Sequence, residues 1–464
     1  MSERFLWKSV LLGTALSLAG AASIAARRLT IGSAEGGWSY PYVDSADAGT
    51  LRVLALSCLL VGAGVGASWR LLKRFDAGGE HAVPGPIQWA LIVAWCLLAI
   101  LVQGVLRSTS PHSLGAIVAS DTATSFYSVA VRTNAGSILS GFERRRQTWP
   151  LHAHSNLPGK LLLVRALTRV STQPEVVGWL IIGLSSVGAL LMYFFIRDAS
   201  GDRFFAGLSA ILYLFTPAAF YFVPLLNAVT PVVVLICAYL MMRWLNTAGV
   251  VYAVALGVAI YGLALFEPTA LIAGLLLSVL LIHRIVSGRL PWRTASLHIG
   301  AALLAFVATY AAMVGWFGFD LFRAFAAVAR DAAEFNMKSG RPYAVWVWQN
   351  LFDFAFGVGW CQAVLFFAAL ADGGTGWPSR WRLTDAPSIL LICVSVLAMV
   401  GIADAIGVNR GEVTRLWIFL ACLAQIPAAY VCRRLGSASA FCLVMMASLV
   451  QVALATAMIG FVAP

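Results

Sequence analysis

Charge is what this sequence has least of: only 11% of its residues are Asp, Glu, Lys or Arg, against roughly a quarter in soluble globular chains. A fold solvated by water on every side is thereby excluded, and the 60% hydrophobic content and mean hydropathy of +0.85 agree. The alternating pattern of a membrane β-barrel is absent. So is any CxxC pair. The eight cysteines (Cys58, Cys96, Cys237, Cys361, Cys393, Cys422, Cys432, Cys442) lie in or beside apolar runs with no histidine at metal spacing, which reads as reduced helix filler. No P-loop motif is found, removing the commonest nucleotide-phosphate site. The net charge of +12 comes from basic residues scattered through short loops rather than massed on one face, so nucleic acid is not an expected partner.

What is there is a succession of apolar runs of about 20 residues, each long enough for a bilayer core of about 30 Å. Backbone groups in hydrocarbon must be satisfied within the segment, so the fold class is all-α and polytopic. Spans are expected at 5–26, 51–70, 87–106, 175–196, 204–222, 229–246, 250–266, 269–286, 295–315, 354–371, 386–404, 416–432 and 438–462, about thirteen in all. The first run begins like a signal peptide but lacks a convincing cleavage site, and is read as a retained helix. Alternate short loops carry Arg70, Lys73 and Arg74; Arg197 and Arg203; Arg284, Arg289 and Arg293; Arg380 and Arg382; Arg433 and Arg434. Positive loops face the cytoplasm. The long connections 27–50, 107–174 and 316–353, with the short one at 405–415, are then expected outside a cytoplasmic or inner membrane, against membrane lipid.

Those four connections hold the candidate chemistry. Asp121 can take a proton from an attacking hydroxyl as a general base; the competing reading has Ser120 and Asp121 cap a helix. Asp44 and Asp47 are rivals for the base. His152 and His154 are two apart and suit a loop, with no acid beside them to complete a metal site. Asn-Leu-Pro-Gly at 156–159 reads as a turn opening an amphipathic stretch, 161–170, that should lie flat on the outer leaflet with Lys160, Arg165 and Arg169 on its polar side. Glu267-Pro268 interrupts an apolar run, as an outer turn or a buried acid. Arg410 and Arg415 flank Glu412, and two guanidinium forks suit a phosphate; a local Glu412–Arg415 pair is the alternative. Arg341, Tyr343, Trp346 and Asn350 combine aromatic faces with hydrogen-bonding groups, as sugar sites and interfacial belts both do.

In order, these features resemble the GT-C superfamily of membrane glycosyltransferases, which includes protein O-mannosyltransferases and bacterial aminoarabinose transferases. The matching elements are Asp121 with Tyr127 in a long outer loop, the His/Pro-Gly segment 154–160 before an amphipathic helix, and the run 204–217 ending in Pro. Arg341-Pro-Tyr with 346–353, and Arg410-Gly-Glu-Val-Thr-Arg-Leu-Trp417, complete them. The likeness covers roughly 85–430, without one specific motif. It departs from the family in that two extra spans, the N-terminal hairpin, come before the span leading to Asp121, which has no acidic neighbour. The chain then divides into an N-terminal hairpin, 1–84, and a GT-C-like domain, 85–464. The resemblance implies inverting transfer of a sugar from a polyprenyl-phosphate donor to a glycan, lipid or protein acceptor on the outer face. Asp121 would be the base; Tyr127, His152, His154, Lys160, Arg341, Tyr343, Trp346, Asn350, Arg410, Glu412 and Arg415 would bind substrate. No metal ligand is assigned, and a divalent cation is compatible with it. The rival classes are a lipid-linked glycan flippase or transporter, expected to carry charges within spans, and an O-antigen ligase or polymerase.

Overall fold

The computed structural model describes residues 1–43, 47–76, 83–374 and 389–464; Asp44, Arg380 and Arg382 lie outside them. The described chain is mostly helical, its strand content limited to a two-residue antiparallel hairpin, β1 (Gly32–Ser33) with β2 (Trp38–Ser39), and an isolated bridge between Tyr42 and Ile459. Among the described residues, eleven helices are long and apolar enough to cross a membrane. Tyr343–Val358 and Trp360–Gly374 would make a twelfth as a pair bent by 100°, and Val250–Phe266 is a shorter apolar helix. The protein is thus an all-α polytopic membrane protein.

The expected spans fall on helical segments of the described residues, but those at 204–222, 269–286 and 416–432 are broken into shorter helices, that at 386–404 is described from Ile389 onward, and that at 354–371 straddles the bend. Gly359 makes the bend: its φ is +100°, and a Cβ there would stand 2.4 Å from Gln362 Oε1. Only glycine tolerates both.

Burial follows hydrocarbon logic. Arg203–Phe222 is 94% buried across its apolar window, whereas Trp292–Phe317 is 6% buried and turns Leu297, Leu303, Leu304 and Trp316 outward. Large apolar side chains on the outside of a bundle are what lipid as solvent permits. One core cluster runs from Leu6 to Val462. The first helix, Glu3–Ala25, packs between Ala438–Met458 and Trp360–Gly374, so the N-terminal hairpin is set apart by chain order and not by packing.

The connections sort to two ends. At one, Asp202 meets Arg433 at 2.7 Å, Asp372 meets Arg434, and Asn246 donates to the Asp198 carbonyl. The connections 27–50, 107–174, 316–353 and 405–415 gather at the other, called here the loop-bearing end. Trp346 Nε1 donates to the Gly36 carbonyl, Arg341 reaches Glu412, and Asp331 is held by Arg146.

The expected surface helix is corrected. Helix Gly159–Leu167 turns Leu161 and Val164 into the protein, against Phe126–Arg132 and Val250–Phe266, not towards a leaflet. Lys160, expected on the polar side, is 2% exposed and bonds to Glu267 Oε2 at 2.5 Å and Asn156 Oδ1 at 3.1 Å. Glu267 is both the turn and the buried acid, with Thr269 donating to its second oxygen. Gly159 permits this seat, since a Cβ would lie 2.5 Å from the Leu265 carbonyl.

Candidate functional site

Asp121 is exposed, and its carboxylate accepts from Ser128 Oγ. The cap of this turn is Ser120, whose hydroxyl accepts from the Thr122 and Ala123 amides at 3.1 and 3.0 Å. Asp121 is thereby left without the capping role. Asp47, its described rival, closes a capping box with Thr50 at the start of Ala48–Lys73, a structural task that occupies it.

The next residue along, Thr122, is tied to the third group of the loop. His152, in the one-turn helix Leu151–His154, places Nε2 at 3.0 Å from the Thr122 carbonyl. A carbonyl only accepts, so the neutral ring must carry its proton on Nε2. Burial, and then the charge of Arg415, push this imidazole down to about 4, with Glu412 opposing. The Asp121 segment therefore lies within electrostatic reach of the 410–415 connection.

That connection is built around Glu412, at φ +59°. Its two oxygens take Arg341 Nη2 at 3.3 Å and Arg415 Nη2. Burial raises its carboxyl, but Arg415 and Arg341 outweigh burial and hold it below the usual range. The local Glu412–Arg415 pair foreseen as the alternative is present, enlarged by a second guanidinium from a distant connection. Arg410 behaves differently. Its guanidinium donates to the Arg341 carbonyl at 3.0 Å and the Gly407 carbonyl at 3.1 Å and lies over Tyr343, so it fastens the loop.

Several expected substrate contacts are likewise spent on structure. Trp346 is fully buried and bonded to Gly36, leaving no ring face for a sugar. Asn350 donates to Asp404 and to the Asn409 carbonyl and accepts from Gly411 N. Tyr343 bonds the Ala405 carbonyl at 3.1 Å, although 40% of it remains exposed. Tyr127 donates to the Thr172 carbonyl at 2.5 Å. His154 engages Asp331 with Nε2 and the Arg146 carbonyl with Nδ1; the acid missing from its sequence neighbourhood comes from 177 residues away in the chain, 331 less 154. Among the described residues no three His, Cys, Asp or Glu come together in a way that could hold a metal ion.

Sequence reasoning missed two contributors from the first connection. Trp38 lies 5.3 Å beneath Arg341, and Tyr40 packs on Trp38 at 4.4 Å. Asp353 accepts the Gly32 amide at 3.1 and 3.2 Å and so pins the hairpin that carries them. The available signal was the Gly36-Gly37-Trp38-Ser39-Tyr40 stretch, a turn followed by aromatics. A cavity of about 290 Å³ lined by Asp202, Tyr430, Arg433 and Arg434 lies at the opposite end and shares no residue with this group. Compared with protein-family models, curated proteins and solved structures, the chain matches none.

Proposed function

We propose that this protein is a membrane glycosyltransferase that moves one sugar, with inversion, from a polyprenyl-phosphate donor to an acceptor at the outer face of the cytoplasmic membrane. Asp121 takes the proton of an acceptor hydroxyl; the resulting oxygen attacks the anomeric carbon, and the glycosidic bond to the lipid phosphate breaks with its electron pair on phosphate oxygen. Arg415 and Arg341 offset the charge that gathers there. Arg410, expected beside Arg415, is committed to carbonyls and is left out of that task.

The observation that carries this reading is the bridge through His152. The ring of His152 bonds to the Thr122 carbonyl of the Asp121 turn and feels the charges of Arg415 and Glu412, and Glu412 in turn pairs with Arg341 from a third connection. An exposed carboxylate bonded only to a hydroxyl keeps lone pairs for an incoming donor. A flippase would need charges along a path through the bundle. Here Lys160, Glu267, Arg341, Asp353 and Asp404, all buried, bond to connections or helix ends at the loop-bearing end.

The test is Asp121→Asn in membranes supplied with a labelled polyprenyl-phosphate sugar. Loss of sugar transfer with unchanged insertion is expected; transfer at the wild-type rate removes Asp121 from the mechanism.

A further inference from the structure

The group around Glu412 holds more donors than acceptors. The Tyr40 hydroxyl, Nε of Arg415 and Nε of Arg341 are all shut away from solvent, and none has a hydrogen-bond partner. Native proteins seldom leave one buried donor unsatisfied, and three such donors, on the two arginines paired with Glu412 and on a tyrosine that feels their charges, call for an acceptor. The charges agree, since Glu412 balances only one of its two arginines.

Tyr40 cannot relieve its own position. Its amide donates to the Ile31 carbonyl within the hairpin, and its ring is wedged against Trp38, Phe222 at 5.9 Å and Phe461 at 5.0 Å. The residue is 8% exposed. Burial, and next the charge of Glu412, hold its phenol well above the usual range, so it stays protonated and keeps an O–H to donate. One side of the group is reachable, because Glu412 and Arg415 keep 19% and 18% of their side-chain exposure.

We propose that Tyr40 donates a hydrogen bond to an oxygen of a phosphate group held between the unpartnered Nε atoms of Arg341 and Arg415, and that this phosphate is the head group of a polyprenyl lipid. The inference rests on the transferase reading and deepens it. The first connection, which chain order sets apart with the N-terminal hairpin, then supplies a residue that distinguishes a lipid phosphate from the corresponding alcohol.

Purified full-length protein in detergent, wild type and Tyr40→Phe, is titrated with a polyprenyl phosphate, the polyprenol of equal length and inorganic phosphate, reading tryptophan fluorescence. A hydrogen bond to a charged group is worth about a factor of ten or more. Tyr40→Phe should therefore bind the lipid phosphate about tenfold more weakly and the polyprenol equally well. Its ligand-free melting temperature should not fall, because the variant loses only an unsatisfied hydroxyl. A tenfold loss confined to inorganic phosphate, with no binding of the lipid phosphate, keeps the anion site and sinks the transferase reading. Lipid-phosphate binding that is unchanged in the variant overturns the role of Tyr40 and leaves the transferase reading standing. Equal losses for phosphate and polyprenol, or a melting temperature lowered by several degrees, make Tyr40 a packing residue and also overturn the proposal.

Discussion

At the scale of single residues, the division of labour among the arginines decides what each substitution should do. Arg415 has one bond to Glu412 and a free Nε, whereas Arg410 spends its guanidinium on two carbonyls. Arg415→Ala should raise the KM for the donor about tenfold or more, the worth of a lost charged hydrogen bond. Arg410→Ala should instead lower thermal stability, and a donor KM raised equally by both would contradict this assignment. His152 offers a pH test. Its folded-state value near 4 lies below the ordinary 6.5, so between them the unfolded chain binds the extra proton. Stability is then full above about pH 6.5 and falls as pH drops towards 4. His152→Gln should flatten that part of a melting-temperature profile; an unchanged slope would mean that other groups set it. Asp121 and Glu412 were legible from residue type and position. Tyr40 was not, because nothing local to Trp38-Ser39-Tyr40 reveals that the hairpin folds beneath an arginine from a connection some 300 residues away.

Elements behave less locally than their sequences suggest. The stretch 161–170 has the amphipathic period of a surface helix, yet its apolar side meets other helices and Lys160, just before it, is buried. Periodicity reports that one face is apolar; it does not say whether lipid or protein covers that face. The Lys160–Glu267 pair makes the distinction measurable. Lys160→Met would leave a buried carboxylate unpaired, a loss of about 3–5 kcal/mol, and a large fall in melting temperature is expected. The double variant Lys160→Met with Glu267→Leu should recover most of it; a single variant as stable as wild type would place the lysine in water after all. Gly359 governs the other departure from expectation. Gly359→Ala should cost about 1–3 kcal/mol from backbone strain alone, because a helix through 354–371 was a fair reading of hydropathy and only the positive φ at one position forbids it.

For the molecule as a whole, alternation of short basic loops with long polar ones was enough to forecast which connections share an end. Hydrogen bonds that tie 316–353 to 27–50, to 107–174 through Arg146 and Asp331, and to 405–415 bear out that grouping. An impermeant thiol reagent applied from one side should reach cysteines introduced at exposed Arg144 and Lys338 together and spare one at exposed Thr247. Labelling of Arg144→Cys and Thr247→Cys from the same side would break the topology. What hydropathy cannot convey is which polar groups are spent on holding the connections together, and that sorting separates Arg415 from Trp346, Asn350 and Arg410. The most direct measurement is an electron cryomicroscopy map of the full chain with polyprenyl phosphate. The account predicts phosphate density against Arg415 and Arg341, on the side facing the Asp121 turn. Lipid density confined to the outer surface of the bundle, or to the cavity beside Arg433 and Arg434, would contradict it.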